Sequence, residues 1–404
     1  MTVRLLLVGY NDSVLTALDD GDTSVVVLEE RDLWEAKGLA AKAARHPFVE
    51  VVFGRYQQDD QFLDVVAGLT GVDAVAPGLE YAVAAAARAA EALGLPGAGA
   101  RAATALRDKL TLREVTTAAG MPGPRFAEVR SAADVAAFAG GGPCVLKPSG
   151  RQASLGVLLL DAGADVEAAW AATTGADEGN QLARRPMSWR YLVEERLRGP
   201  EFSTECLVVG GRVVFLNATA KRTSAGPAPV EVGHVVPAEP ADDWREPVSD
   251  LVRAVGFDTG ILHAEWVRTA EGPRLVECAG RPPGDRIVDL VDLAYRTNLT
   301  RHWVDSLAGR PIDPPATASR AAAIAFITAD PGTVLSVDGV EDATALPGVE
   351  RVDVLRKAGD TLADLRSSWD RVGSAIAVGD TPAEADARAR AAVAAVRVEV
   401  KAQH

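Results

Sequence analysis

Cysteine is scarce in this chain. Cys144, Cys206 and Cys278 are far apart and odd in number. A disulfide framework is therefore excluded, and no two cysteines have metal-ligand spacing. They read as reduced core residues of a cytoplasmic protein. Positive charge is also in deficit: 42 Lys and Arg stand against 56 Asp and Glu, a net charge of −14. A field of that sign repels phosphate backbones, so neither nucleic acid nor an anionic membrane is expected as the main partner. A small anionic ligand held by a local cluster of cations stays compatible with it. No apolar run approaches the ~20 residues of a membrane span. The opening MTVRLLLVGYND reads as a first strand ending at Gly9 and not as a signal peptide.

Several motifs are missing too. The turn after the first strand offers only Gly9, without the glycine fingerprint of a dinucleotide site. There is no P-loop, no Ser-His-Asp or Cys-His set stands out, and no internal repeat is evident.

What is present is an alternation of Ala-rich helical runs and Val/Leu-rich strand runs over 404 residues, 48% of them hydrophobic. That is an α/β pattern too long for one core, so two to four packed units are expected. VRLLLVG, SVVVLEE, VEVVFG and VDAVAPG are four strand candidates separated by helices, which predicts a parallel layer. EYAVAAAARAAEALGL is a helix stopped at Gly94. ATALRDKLTLREVTTAAG reads as one helix stopped by Gly120, and IVDLVDLAYRTNLTRHWVDSLAG as another. Gly210-Gly211 between two apolar runs marks a hairpin, and RPIDPPATAS is a connector. A last unit follows, with a final helix whose N-cap is Thr381, with Pro382 in the first turn and Glu384 closing a capping box.

Chemistry gathers around RLVECAGRPPGD. Glu277 is a lone carboxylate in an apolar strand. If the preceding turn centres near Glu271, Glu277 lies opposite Glu265 on the neighbouring strand. Opposed side chains have Cβ atoms roughly 4.5–5.5 Å apart. Two carboxylates there repel by about 3 kcal/mol at an effective dielectric of roughly 20. A divalent cation such as Mg²⁺ would remove that cost. The alternatives are a register one residue off, or both groups facing water. Arg281 nearby suits phosphoryl transfer, in which charge on the γ-phosphate must be neutralised. The loop KPSGRQASLGV, with Gly150, Ser154 and Gly156, can bring backbone amides close to phosphates; a flexible hairpin loop looks the same. Lys147 at a strand end is either a phosphate ligand or a snorkelling surface lysine. Lys109, in RDKL, is either a second one or a solvated helix lysine. Glu194 and Glu195, with backbone near Leu197, can offer acceptors to an adenine amino group, or are simply a solvated charge run. His263 alternates onto the face of Glu265 and reads as a core histidine or a site residue; Trp189, Trp244 and Trp303 read as packing anchors.

Taken in order, RDK, VLKP with its following small-residue loop, VEERLRGPE, then Glu265, Glu277 and Arg281 resemble the ATP-grasp superfamily over nearly the whole chain. GPAPVEVGHVVPA and the tail from ITADPGTVLSVDG onward are most similar to L-amino-acid ligases and related carboxylate–amine ligases. The resemblance implies an α/β (α+β) fold in four parts. These are an N-terminal parallel-sheet domain (1–104), a two-part ATP-grasp domain (105–188 and 189–312) and a small C-terminal α/β domain (313–404). It implies ATP with Mg²⁺, or Mn²⁺ in its place. Lys109 and Lys147 would contact phosphates, and the loop holding Ser154 and Gly156 would fold over them. Glu194, Glu195 and Leu197 would frame adenine, with Glu201 near the ribose. Glu265 and Glu277 would hold the metal. Arg281 would steady the phosphoryl group, acting with Lys147, while Glu231, His234 and Gly284 would line the substrate site with it. One departure stands out: relatives carry a metal-ligating Asn where this chain has Ala279. Either one metal binds more weakly there, another group such as Asp285 substitutes, or activity is reduced or lost. The implied reaction joins a small-molecule carboxylate to an amine through an acyl phosphate, with ADP and phosphate released, in a cytoplasmic enzyme with a homodimer left open. The alternatives are an ATP-grasp ligase or carboxylase of another acceptor class, and a non-catalytic ATP-binding module.

Overall fold

A computed structural model describes residues 2–225, 228–238 and 241–402. Gly226 and Pro227, within the substrate-like segment GPAPVEVGHVVPA, lie outside them, as does His404. The four apolar runs at the start form strands β1 (Val3–Val8), β2 (Thr23–Glu29), β3 (Val49–Phe53) and β4 (Ala74–Pro77). They pair in parallel in the order β3-β2-β1-β4. The order reverses between β1 and β4, which is where open α/β sheets leave a crevice at the carboxyl ends of their strands. There Gly9 and Gly78 nearly touch: a Cβ on Gly78 would stand 2.0 Å from the Gly9 carbonyl oxygen.

A four-stranded antiparallel sheet follows, with β5 (Phe126–Val129), β6 (Cys144–Pro148), β7 (Leu158–Leu160) and β8 (Tyr191–Glu195) in the order β5-β8-β6-β7. The main sheet has eight strands. β9 (Glu201–Val209), β10 (Arg212–Thr223), β11 (Glu231–Val236), β12 (Gly260–Thr269) and β13 (Gly272–Ala279) are joined by three strands from the last part of the chain. These are β14 (Ala321–Ile327), β16 (Val349–Val354) and β18 (Gly373–Gly379), in the order β13-β12-β9-β10-β11-β14-β18-β16. The sheet runs unbroken from β11 into β14, so backbone pairing crosses the connector at 310–319. Strands β15 (Gly332–Asp338), β17 (Thr361–Leu362) and β19 (Arg397–Lys401) make a small separate sheet. The fold is thus mixed: a parallel sheet at the N-terminus and antiparallel sheets in the rest.

Helices 287–295 and 299–307 bury Leu290, Val291, Trp303 and Val304 between the parallel sheet and one face of the main sheet. Helix Asp242–Val255 covers the opposite face with Trp244, Val248 and Leu251, against Leu262, Ala264, Trp266, Leu275 and Cys278. All three cysteines are buried and free.

Three local expectations need correction. The helix expected across RDKL is two helices, Ala100–Arg107 and Lys109–Ala118. Asp108 takes extended φ/ψ and its carboxylate accepts the Thr111 N–H, because a carboxylate satisfies orphan N–H groups better as a cap than inside a helix. The second long helix breaks likewise: Arg296 turns left-handed and Asn298 caps a new helix through the Arg301 N–H. At the last helix Thr381 caps as expected, but the Glu384 carboxylate accepts the Asp380 N–H, so the box is not closed on Thr381.

Candidate active site

The four-stranded sheet faces the main sheet across a cleft of about 830 Å³. Lys109, Lys147, Ser154, Glu194, Glu195, Leu197, Glu201, Glu231, His234, Glu265, Glu277, Arg281 and Gly284 all line it. Gly156 does not: it lies at φ +75° with Thr173 and Ala176 close around it, and shapes the base of the loop.

Glu265 and Glu277 are opposed across β12 and β13, by a route the sequence did not show. The turn is tighter than expected, since Thr269 pairs with Gly272. That register carried straight on would miss the pairing. A bulge between Glu265 and Trp266 places Val276 as the extra residue and restores it. The bulge also flips parity: Leu275 and Cys278 both enter the core, while Glu277 turns to the cleft.

Each carboxylate carries a lysine. Lys109 Nζ is 2.9 Å from Glu277 Oε2. Lys221 Nζ is 2.5 Å from Glu265 Oε1 and 3.2 Å from Glu231 Oε1. Against its burial, these carboxylates raise the pKa of Lys221 above the ordinary lysine value. His263 bridges Glu205 through Nδ1 (3.1 Å) and Glu265 through Nε2 (3.2 Å). Burial disfavours its charge, but those two acids lift its pKa to about 9. His263 is thus both satisfied and a site residue. Glu205, fully buried, also accepts from Ser203, Asn217 and Thr219; burial opposes its charge, but His263 above all, then Thr219 and Ser203, bring its pKa below the ordinary value. Burial and the nearby Glu265 and Glu231, partly offset by Lys221, push Glu201 upward.

The loop after β6 is clamped at its root. Ser149 Oγ donates to Asp108 (2.6 Å), the Lys109 N–H to the Ser149 carbonyl (2.8 Å) and Lys109 Nζ to the Arg151 carbonyl (2.9 Å). Arg151 stacks 4.8 Å over Trp189, so that tryptophan anchors the loop; Trp244 and Trp303 are core. Lys147 is no surface lysine. It is buried with its Nζ 2.6 Å from Glu194, whose other contact is Arg113 Nε at 2.7 Å. Burial, with Arg113 close by, lowers Lys147, and the two cations together keep Glu194 ionised although burial opposes it. The Glu194 carboxylate is therefore occupied and not a free acceptor. Glu195 is exposed, and its carboxylate takes the Arg125 N–H.

Arg281 donates from Nε to Glu80 (2.5 Å), and Glu80 also pairs with Arg107. Burial opposes ionisation of Glu80, yet Arg281 and Arg107 bring its pKa down to about 2. Asp285, the group named as a substitute for the missing Asn, has both its oxygens on Arg371 and one also on His234. Ala279 lies opposite His263 and offers no donor. Among the described residues no group of three or more His, Cys, Asp or Glu is placed to hold a metal. The opposed Glu265 and Glu277 still fit a hard cation that takes the rest of its shell from phosphate oxygens and water, as Mg²⁺ commonly does.

Lys221, Arg113, Glu80, Glu205 and Arg371 were not singled out in the sequence. Lys221 left a trace, a cation inside the strand run LNATAKRT. The others sit in ordinary helical, strand or loop contexts and acquire meaning only from partners far along the chain.

Residues 141–289 match the ATP-grasp domain family, and residues 325–401 match L-amino acid ligase C-terminal domain 2. Uncharacterized protein y4rH of Sinorhizobium fredii is 29% identical over 305 residues, 72% of this chain and 61% of that protein. An alanine–anticapsin ligase of Bacillus subtilis is 26% identical over 324 residues, 72% of this chain and 66% of that protein. The chain thus spans less than two thirds of the length of these curated relatives. The crystal structure of an L-amino acid ligase from Bacillus licheniformis superposes with a TM-score of 0.80 at 20% identity, covering 99% of both chains. No helix among the described residues is long and apolar enough to cross a membrane. The chain thus carries an ATP-grasp domain and an L-amino acid ligase C-terminal domain, in a fold similar to that of a crystallised L-amino acid ligase.

Proposed function

We propose that this chain is an ATP-dependent ligase that joins the carboxylate of one small molecule, an amino acid or similar compound, to the amine of another. The observation that carries this is the opposition of Glu265 and Glu277 in a cleft that also holds Lys109, Lys147 and Arg281. A free carboxylate is a poor electrophile because its charge repels nucleophiles. In the first step a carboxylate oxygen attacks the γ-phosphorus, and the bond to the bridging oxygen breaks. ADP leaves and an acyl phosphate remains. In the second step the amine attacks the acyl carbon, the bond to the phosphate oxygen breaks, and the nitrogen loses its proton.

The work of the protein is positioning and charge neutralisation. Lys109 and Lys147 meet the phosphates, and the loop 149–156 covers them. Backbone at Glu195 and Leu197 meets adenine, with Glu194 tied to Lys147 and acting through it; Glu201 lies toward the ribose. Glu265 and Glu277 would hold Mg²⁺, or Mn²⁺, which when bound neutralises phosphate charge. Glu231, His234 and Gly284 border the substrates, and Arg281 faces the transferring group. The four parts of the chain, 1–104, 105–188, 189–312 and 313–404, meet around this cleft. The setting we infer is cytoplasmic.

The test is product identity. With ATP, Mg²⁺ and a panel of carboxylate–amine pairs, ADP, phosphate and an amide are expected, scored by phosphate release and mass spectrometry. AMP with pyrophosphate would contradict the acyl-phosphate route. Nucleotide binding without ADP release under any pair would favour a non-catalytic module, the reading that Ala279 keeps alive.

A further inference from the structure

The turn that carries Arg281 is held from the far end of the chain. Residues 280–286 connect β13 to helix Ile287–Tyr295. Asp285 and Arg286 are consecutive non-glycine residues in the left-handed region, at φ +54° and +58°. Such backbone persists only where the surroundings over-determine it. Here the clamp on Asp285 is Arg371, which follows the turn Ser368–Asp370 and precedes β18. Its Nη2 and Nη1 reach Oδ1 and Oδ2 of Asp285 at 2.5 and 2.9 Å. His234 adds a third contact at 3.1 Å. Arg286 is tied to Asp289 (2.9 Å) and Asp353 (3.4 Å).

Arg371 is itself fully engaged. It is buried, its guanidinium lies 3.8 Å over the Phe326 ring, its Nε donates to the Ser368 carbonyl (2.8 Å), and Nη1 also reaches the Glu231 carbonyl (3.4 Å). A buried ion pair is weak support for stability, since apolar residues of similar volume often serve as well. What a guanidinium fork on a carboxylate supplies is direction. We propose that Arg371 is a positioning residue for the reaction. By gripping Asp285 it fixes the strained 282–286 turn, and so fixes where Arg281 presents its guanidinium to the transferring phosphoryl group. Glu80 holds Arg281 from the N-terminal side and Arg371 sets its backbone from the C-terminal side. The last part of the chain then governs the rate of a step whose chemistry lies elsewhere. This rests on the ligase reading given above.

The experiment compares Arg371→Met, Arg371→Lys, Asp285→Asn and the double variant Arg371→Met/Asp285→Asn. Each is assayed in the full chain by ADP release with a carboxylate–amine pair turned over by the wild type. Small misplacements of a catalytic group cost on the order of 100-fold, so kcat should fall by about that factor in Arg371→Met. KM for ATP should stay within about twofold, because Lys109 and Lys147 do not touch this turn. Arg371→Lys should not restore kcat, since one ammonium cannot fork. Asp285→Asn should lose as much, and the double variant no more than either single change. Wild-type kcat in folded Arg371→Met, losses that add in the double variant, or a parallel rise in KM for ATP would each overturn the proposal. Should Arg371→Met fail to fold, the near-isosteric Asp285→Asn decides alone, and full kcat there is fatal. A wild-type protein that releases no ADP with any pair is a different failure, that of the ligase reading.

Discussion

Glu265 and Glu277 stand directly opposite each other on the cleft face of one β-ribbon, and a bulge at Val276 puts them there. Each is held by a lysine, Lys221 and Lys109 respectively. Each negative charge is thus matched by a cation, which offsets the repulsion that unshielded neighbours would bring to the ribbon.

Replacing one of these acids should show which charge the site needs. Glu277→Gln keeps size and a hydrogen-bonding oxygen but removes the negative charge that Lys109 balances. We expect kcat to drop by at least about 100-fold, in line with the loss of a single charge-stabilising group. The Mg²⁺ concentration for half-maximal rate should also rise. ADP release titrated with Mg²⁺ gives both numbers, and full activity excludes Glu277 as a metal ligand.

Glu194 makes a stability prediction. Arg113 and Lys147, both buried, share its carboxylate. Glu194→Gln would strand two buried cations, which should cost about 3–5 kcal/mol. Urea unfolding of the two proteins measures this; a loss under about 1 kcal/mol would mean water compensates the cations.

Asp292 gives a pH dependence away from the cleft. Burial, with Asp289 adding repulsion, raises its pKa from 3.8 to about 7, although it accepts the Leu299 N–H. The folded state therefore holds the proton more tightly than the unfolded chain. Its contribution is fully present below pH 3.8 and is lost as pH rises through about 7, amounting to at most roughly 4 kcal/mol. Asp292→Asn should flatten that part of the stability curve. Unfolding free energies at several pH values between 4 and 8 test it, and an unchanged slope counts against it.

Gly78 tests the crevice of the N-terminal sheet. Its Cβ position is filled by the Gly9 carbonyl, and its own carbonyl accepts from Asn11 at 2.7 Å. Gly78→Ala should destabilise the protein by about 1–3 kcal/mol through overpacking, visible as a lower Tm. An unchanged Tm would mean the two loops separate freely.

Much of the fold was legible because local pattern and final environment agree. Strands β1, β2 and β4 are largely apolar and buried since both faces are covered, while the edge strand β3 keeps Glu50 exposed, and Gly210-Gly211 turns the β9–β10 hairpin. The helix breaks at Asp108 and Arg296 were not legible, because apolar periodicity runs through them and a cap wins only once its N–H partners are in place. The bulge left only a faint mark: Leu275 and Cys278, three apart, both enter the core of a strand that otherwise alternates.

By itself the sequence determined the class of fold, the order of the site elements and the types of side chain in the cleft, because periodicity and residue chemistry are local properties. Tertiary structure alone decided the partners. Glu194 became the anchor of Lys147 instead of a free acceptor, Asp285 became the grip of Arg371, and Lys221 joined the acids. Ion pairs between residues scores of positions apart depend on the distance between charges in space, and that distance exists only once the sheets have packed.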